Sequence, residues 1–323
     1  MDQIKVIITG AGALLGQGII RALKQSTLKT HIVAVDPSPF AAGLYWADSA
    51  HLVPYATDPK YIDQLKDIIQ FEKPDIVLVG TDIELPIIAN NREILEKEFQ
   101  THILVSNADV IAIANDKYLT YNFLRDAGFD YPETCLPGGE EELISKVGFP
   151  LVVKPRIGAR SVGVHEVYDR ATLNKYIKME KNLVIQECVG SSKEEYTASA
   201  LVFNGRCNAS IIMRRDLRDG NTYRAYIEEF KELNNKIRTL GEALKPHGVA
   251  NFQFRLDDNR LIVFEINSRF SGTTPLRACA GFNEIELCLR YILWNESIVQ
   301  PEIQKMTILR HWSETIVKEN QLI

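Results

Sequence analysis

The sequence predicts a chain of mixed class, an α/β first part on a parallel sheet followed by an α+β part on antiparallel sheets. Three observations predict it. Short β-branched runs alternate with helices of ten or so residues through the first hundred positions. After residue 130 strands follow one another with few helices between most of them, and Asn204-Gly205 and Asp257–Arg260 read as hairpin turns. Finally, 323 residues that are 46% hydrophobic and 24% charged make a globular balance with length enough for two domains.

The elements follow in order. Lys5–Thr9 is a strand, Leu15–Gln25 a helix and Thr30–Asp36 a second strand. Lys60–Glu72 reads as an amphipathic helix, Asp75–Val79 as a buried strand, Arg92–Gln100 as a helix and His102–Val105 as a strand. This βαβ grammar demands a parallel sheet. A boundary is expected near Ala108–Asn115, before a helix over Lys117–Ala127. Strands are then expected over Leu151–Lys154, Gly163–Val167, Leu183–Glu187, Tyr196–Phe203, Cys207–Arg215, Val249–Leu256 and Leu261–Asn267. Helices are expected at Ile227–Leu244, Leu276–Gly281 and Glu284–Leu293.

Charge and composition exclude several function classes. A formal net charge of −5 gives no general attraction to nucleic acid, so an anion site must be made locally. No apolar run approaches the roughly 18 residues of a membrane helix. Met1 leads straight into Ile4-Lys5-Val6-Ile7-Ile8 without a basic leader. The five cysteines (Cys135, Cys188, Cys207, Cys279, Cys288) are scattered and form no C-x-x-C pair, which fits reduced thiols and a cytoplasmic location. The six histidines show no metal-binding spacing, which argues against zinc.

Four constellations carry chemistry. Gly10-Ala11-Gly12-Ala13-Leu14-Leu15-Gly16 lies between the first strand and first helix, with Asp36 ending the second strand. Such glycines admit a phosphate to a helix N-terminus, or serve only to pack helix against strand. Leu151–Lys154 delivers a lysine into the loop Arg156–Gly163, whose small residues (Gly158, Ser161, Gly163) and cations suit a polyphosphate. Glu187 ends one strand and Glu195 opens another; each reads as an adenine or ribose acceptor, or as a surface acid. Lastly, the strand pair Gly248–Leu256 and Leu261–Asn267 carries Gln253, Glu265, Asn267 and, just beyond, Arg269. Glu265 and Asn267 lie two apart and share a face, where oxygen ligands suit Mg²⁺ and Arg269 can neutralise a transferring phosphoryl group.

In this order the pieces resemble the ATP-grasp superfamily, particularly one half of the carbamoyl-phosphate synthetase large chain. The resemblance rests on Asn115-Asp116-Lys117, Val153-Lys154-Pro155 with Gly158–Gly163, Ile185-Gln186-Glu187, Glu195-Tyr196-Thr197, and Asn251-Phe252-Gln253 through Glu265-Ile266-Asn267-Ser268-Arg269. It implies a Rossmann-like pre-ATP-grasp domain over 1–112, an ATP-grasp domain over 113–310 with a lid subdomain at about 117–187, and a tail over 311–323. It further implies ATP and Mg²⁺, with Mn²⁺ as a substitute, small carboxylate and amine substrates, neither nucleic acid nor membrane as partner, and compatibility with a homodimer. By position, Lys117 and Lys154 would contact phosphates, with Lys154 also near the purine. Gly158–Gly163 would be the phosphate loop, Glu187 through Val189 the adenine hinge, and Glu195 the ribose ligand. Gln253, Glu265 and Asn267 would bind the metal, and Arg269 the γ-phosphate or acyl phosphate. Lys154, Asn267 and Arg269 would thus be the catalytic set.

The expected activity is ATP-dependent ligation of a carboxylate to an amine through an acyl phosphate. Two rivals stand beside it: an NAD-dependent oxidoreductase using Gly10–Gly16, and a nucleotide-binding subunit without chemistry of its own. For the substrate, Asp36, Glu84 and Thr81-Asp82 fall at C-terminal ends of parallel strands, and Arg215 with Ser271-Gly272-Thr273-Thr274 can meet a carboxylate. A register follows too. If Gln253 and Glu265 share a face in direct opposition, Asp257 pairs with Leu261 and leaves the three-residue loop Asp258-Asn259-Arg260, with Asn259 left-handed. A two-residue loop would instead set Phe252 across from Glu265.

Overall fold

The computed structural model describes residues 3–158, 161–191, 193–258 and 260–323. Its first sheet is parallel, in the order β3-β2-β1-β4-β5. The strands are β1 (Ile4–Ile8), β2 (Thr30–Asp36), β3 (Ser49–Leu52), β4 (Ile76–Leu78) and β5 (His102–Leu104). Helix α1 (Leu14–Lys24) covers one face, and α2 (Tyr61–Glu72) and α3 (Leu85–Phe99) the other. The strands read as continuous apolar runs because both faces are buried. The order reverses between β1 and β4, so the loops after these two strands open the crevice where α/β sheets bind ligands.

The expected boundary at Ala108–Asn115 is itself a helix, α4, followed by α5 (Lys117–Asp126). Its apolar residues Val110 and Ile111 are buried, one against each of two neighbouring cores, so the segment is a packed connection. A four-stranded sheet in the order β6-β9-β7-β8 comes next, from β6 (Thr134–Cys135), β7 (Leu151–Pro155), β8 (His165–Val167) and β9 (Leu183–Glu187). Helices α6 (Glu140–Val147) and α7 (Arg170–Met179), absent from the sequence expectation, bury Leu143 and Leu173 against it.

The large sheet runs β14-β13-β10-β11-β12-β15. It comprises β10 (Glu195–Phe203), β11 (Arg206–Arg218), β12 (Asn221–Ile227), β13 (Gly248–Asp257), β14 (Arg260–Asn267) and β15 (Met306–Leu309). Asn204 and Gly205 both have positive φ (52° and 71°) in the β10–β11 hairpin, as a two-residue turn of this type requires. The helix expected from Ile227 begins only at Lys231 (α8, Lys231–Leu244), because Asn221–Ile227 pairs as β12. α9 (Thr274–Cys279) and α10 (Glu284–Trp294) complete the fold.

Alternation along β10 explains how this sheet divides its labour. Tyr196, Ala198, Ala200 and Val202 point into a core with Phe252, Phe254, Ile237 and Leu240, whereas Glu195, Thr197 and Ser199 point to the other face. A second core joins the parallel sheet to the large one through Ile19, Ile20, Leu201, Phe203, Ile285 and Leu289. The two sheets are thereby locked around the space between them.

A candidate nucleotide and acyl-transfer site

That space is a cavity of about 770 Å³. Its lining comes from the loops after β1 (Gly12–Leu15) and β4 (Thr81–Ile83), the start of α5, the polar face of the large sheet, and Ser271–Thr273. Lys117, Gly158, Arg215, Gln253, Glu265, Asn267, Arg269, Ser271 and Gly272 all line it.

Sheet register assembles the centre. Gln253 lies directly opposite Glu265, and Asn251 opposite Asn267. The three-residue loop, however, is wrong. Asp257 pairs with Arg260, leaving two residues in the turn, and the extra residue is absorbed by a bulge at Phe264, since Phe254 pairs with Val263. Asn259 lies outside the described residues. The bulge lets a tight turn and an opposed Gln253–Glu265 pair coexist.

The donors in this centre engage one another. Glu265 Oε1 accepts from Gln253 Nε2 (3.2 Å) and from Asn267 Nδ2 (2.9 Å). Asn267 Oδ1 accepts from Arg269 Nη2 (2.9 Å), and Arg269 grips Asp82 with Nε (2.7 Å) and Nη2 (3.1 Å). Arg215 Nη2 donates to Gln253 Oε1 and to Glu195 Oε1, both at 2.7 Å. Among the described residues no three His, Cys, Asp or Glu side chains cluster, so a cation would find one carboxylate, Glu265, beside an amide. This donor set suits Mg²⁺, which keeps waters and takes phosphate oxygens to complete its shell. Glu265 and Asn267 would hold it. Gln253 is placed as Asn267 is, its amide oxygen turned to an arginine and its nitrogen to Glu265, so either amide would exchange its arginine for the ion on joining the shell.

The two lysines differ in placement. Asp116 caps α5 by accepting from the Tyr118 amide (2.9 Å) and is held by Arg156 (2.5 Å). The cap brings Lys117 to the cavity wall, where its Nζ donates to the Gly158 carbonyl (2.9 Å) and burial lowers its pKa. Lys154 lies beneath the lining, 5% exposed, with Nζ donating to Gln186 Oε1 (2.7 Å). Burial first, and then the Lys117 charge, pull its pKa down to about 7.

Other expected residues stand apart from this lining. Glu187 uses its carboxylate to accept from the Glu133 amide (3.0 Å), and the Val189 carbonyl accepts from Arg255 (3.3 Å). Glu195 is buried between Arg215 and Arg255 (2.7 and 3.0 Å). Ser161 and Gly163 flank the cavity's Gly158 with positive φ (56° and 72°); Ala159 and Arg160 of that loop lie outside the described residues. Asp36 is taken by the amides of Gly12 (2.7 Å) and Ser38 (2.9 Å). Glu84 is buried and accepts from the hydroxyls of Thr9, Tyr61 and Thr81 (2.7–2.8 Å), and burial raises its pKa. In the glycine loop, a Cβ on Gly16 would collide with the Gly10 backbone, so that residue packs helix on strand.

The sequence reading gave no role to several residues of the site, naming Thr197 and Asn251 only within motifs and Arg255 and Arg277 not at all. Thr197, Asn251 and Arg255 follow from alternation along β10 and β13 once Glu195 and Gln253 are placed. Arg277 carried no local signal. It is fully buried with Glu284, and it donates to Asn251 Oδ1 (2.5 Å) and Ser271 Oγ (3.2 Å), supporting the cavity floor.

Comparison with known proteins agrees with this architecture. Residues 180–315 match a family model described as ATP-grasp in the biosynthetic pathway with Ter operon, and residues 6–103 match the PylC-like N-terminal domain. The carbamoyl phosphate synthase large chain of Methanosarcina barkeri is 25% identical, covering 85% of this chain and 28% of the relative. That of Clostridium acetobutylicum is 26% identical with the same coverage, so the chain spans just over a quarter of these relatives. N5-carboxyaminoimidazole synthetase from Staphylococcus aureus complexed with ADP superposes with a TM-score of 0.74 at 18% identity, covering 93% of this chain and 80% of that one. The L-amino acid ligase from Bacillus licheniformis gives 0.69 at 18% identity, with 90% and 74% covered. The biotin carboxylase domain of Hydrogenobacter thermophilus 2-oxoglutarate carboxylase, in complex with MgADP, ADP and bicarbonate, gives 0.72 at 15% identity, with 93% and 72% covered. By its fold and these similarities the chain resembles the ATP-grasp superfamily, with an ATP-grasp family model matched over residues 180–315. Within that superfamily the chain resembles a segment of the carbamoyl phosphate synthase large chain.

Proposed function

We propose that the chain is an ATP-dependent carboxylate–amine ligase: ATP phosphorylates a carboxylate, and an amine attacks the acyl phosphate to give an amide, releasing phosphate. One observation carries the reading. Lys117, Glu265, Asn267 and Arg269 line a single cavity at the switch point of the parallel sheet. In it, Lys117 contacts the polyphosphate, and Arg269, held in plane by Asp82, offers its remaining donors to the transferring phosphoryl group. Asn267 links Arg269 to Glu265, so a shift of one is felt by the others. Bound Mg²⁺ at Glu265 and Asn267 would neutralise phosphate charge. Lys154 supplies charge from below as phosphate draws a proton onto it. Glu187 through Val189 and Glu195 are proposed for the adenine and ribose, the latter once it exchanges an arginine for the sugar hydroxyls.

The walls supply proximity for acid, amine and phosphate alike. An NAD-dependent reading is not favoured, because it leaves Lys117, Glu265, Asn267 and Arg269 on the cavity wall without a role. Cytoplasmic location and a homodimer remain part of the proposal; no described helix is long and apolar enough to cross a membrane. The test is ADP release from ATP·Mg on mixing with panels of small acids and amines, with products read by mass. An amide product with stoichiometric ADP supports the ligase, and nucleotide binding without turnover on any panel would leave a binding subunit instead.

A further inference from the structure

The charges on the cavity wall do not balance evenly. Arg269 is paired with Asp82 and Arg215 with Glu195. Lys117 faces the attraction of Glu265, Asp116 and Asp82. Arg310 is different. It follows β15, and its backbone amide extends that strand's pairing by donating to the Tyr223 carbonyl (3.0 Å). Its guanidinium lines the cavity beside Gly272, where Nη2 donates to the Gly272 carbonyl. Among the described residues no carboxylate forms an ion pair with it, and the charge acting on it is that of another cation, Arg21. Burial and that repulsion both work against its charge. A largely desolvated guanidinium without an anion costs stability unless a ligand supplies the partner.

We propose that Arg310 recognises a carboxylate that the substrate keeps through the reaction, so that one of the two substrates is a dicarboxylic acid or an α-amino acid. This rests on the ligase reading above. The planar fork matches a carboxylate with two parallel N–H···O bonds, and among the described residues only the Gly272 carbonyl takes one of its donors. Thr222, Ser271 and Thr273 line the same end of the cavity and add neutral hydrogen-bonding groups around it. Gly272 lies three positions beyond Arg269, so the retained group binds apart from the phosphoryl-transfer centre yet within one small molecule's reach of the same cavity.

The test uses the full chain, its Arg310→Met variant and its Arg310→Lys variant. ATP·Mg affinity is measured by titration calorimetry. ADP release is then followed with succinate, glutarate, aspartate and glutamate as acids, and with free α-amino acids as amines. Each probe is matched by the analogue in which the carboxylate to be retained is an amide. Turnover confined to the acid panel identifies the retained carboxylate as the acid's, and turnover confined to the amino acids identifies it as the amine's. In either arm Arg310→Met should raise KM about 10- to 100-fold with little change in kcat or ATP·Mg affinity, and Arg310→Lys should recover part of it. Wild-type KM in Arg310→Met, equal use of the amide analogues, or turnover only with substrates that keep no carboxylate would each overturn the proposal, whereas ATP·Mg binding with no turnover on any substrate would overturn the ligase reading. Failure of ATP·Mg to bind at all would likewise overturn the ligase reading, and this assignment with it.

Discussion

Lys154→Met should change how the protein's stability depends on pH. Lys154 is buried and its pKa falls from 10.5 to about 7, chiefly through desolvation. Between pH 7 and 10.5 the unfolded chain therefore holds a proton that the folded chain has released, and wild-type stability rises with pH in that window. Below pH 7 both states are protonated and the full penalty, on the order of 4 kcal/mol, is present. The methionine variant lacks the group, so the wild type should gain about 2 kcal/mol relative to it between pH 7 and pH 9. Urea unfolding of both proteins at pH 7, 8 and 9 measures this, because titrations not coupled to Lys154 cancel in the difference, Lys117 being the coupled neighbour. The variant also loses the hydrogen bond to Gln186, but that loss is constant with pH. Parallel stability profiles, or a difference that moves the other way, would refute the reasoning.

Three further outcomes follow from the same geometry. Glu84→Ala strands three buried or half-buried hydroxyls, those of Thr9, Tyr61 and Thr81, and should cost about 3 kcal/mol or more in urea unfolding. Gly16→Ala forces a Cβ against the Gly10 backbone, which has no flexible atom to yield, so it should lower the melting temperature by an amount equivalent to at least about 2 kcal/mol. Arg269→Ala removes the guanidinium proposed for the phosphoryl group and should slow ADP release about 100-fold or more while changing ATP·Mg affinity far less; equal losses in both would assign Arg269 to binding alone.

The parallel sheet was legible because its strands are short apolar runs separated by helices, a pattern that local sequence carries by itself. The polar face of the large sheet was half legible. Glu265 and Asn267 declare a shared face by their spacing, and Gln253 was rightly placed opposite Glu265, but through the wrong turn. The bulge at Phe264 leaves no mark in composition, since an apolar residue in a strand reads the same whether paired or displaced. β12 was missed because Asn221–Ile227 mixes polar and aromatic residues and its partner β15 is distant in sequence, although Asp219-Gly220 is a two-residue hairpin turn that pairs it with β11. Arg277 and Arg310 were invisible for a related reason: a lone arginine takes its meaning from what the tertiary fold sets beside it, here Glu284 in one case and Gly272 in the other. The glycine loop shows the converse, a motif whose two local readings separate only when Gly16 is seen to pack against the Gly10 backbone.

In the proposed function nucleotide phosphates occupy the cavity between the sheets beside Lys117, with Glu265 and Asn267 to hold Mg²⁺ and Lys154 beneath them. Calorimetric titration of the wild type and of Glu265→Gln with ATP·Mg, and of the wild type with NAD, tests it most directly. The account predicts that the wild type binds ATP·Mg and not NAD, and that Glu265→Gln weakens ATP·Mg binding about tenfold or more. Undiminished ATP·Mg affinity in Glu265→Gln, or binding of NAD in place of ATP, would contradict it.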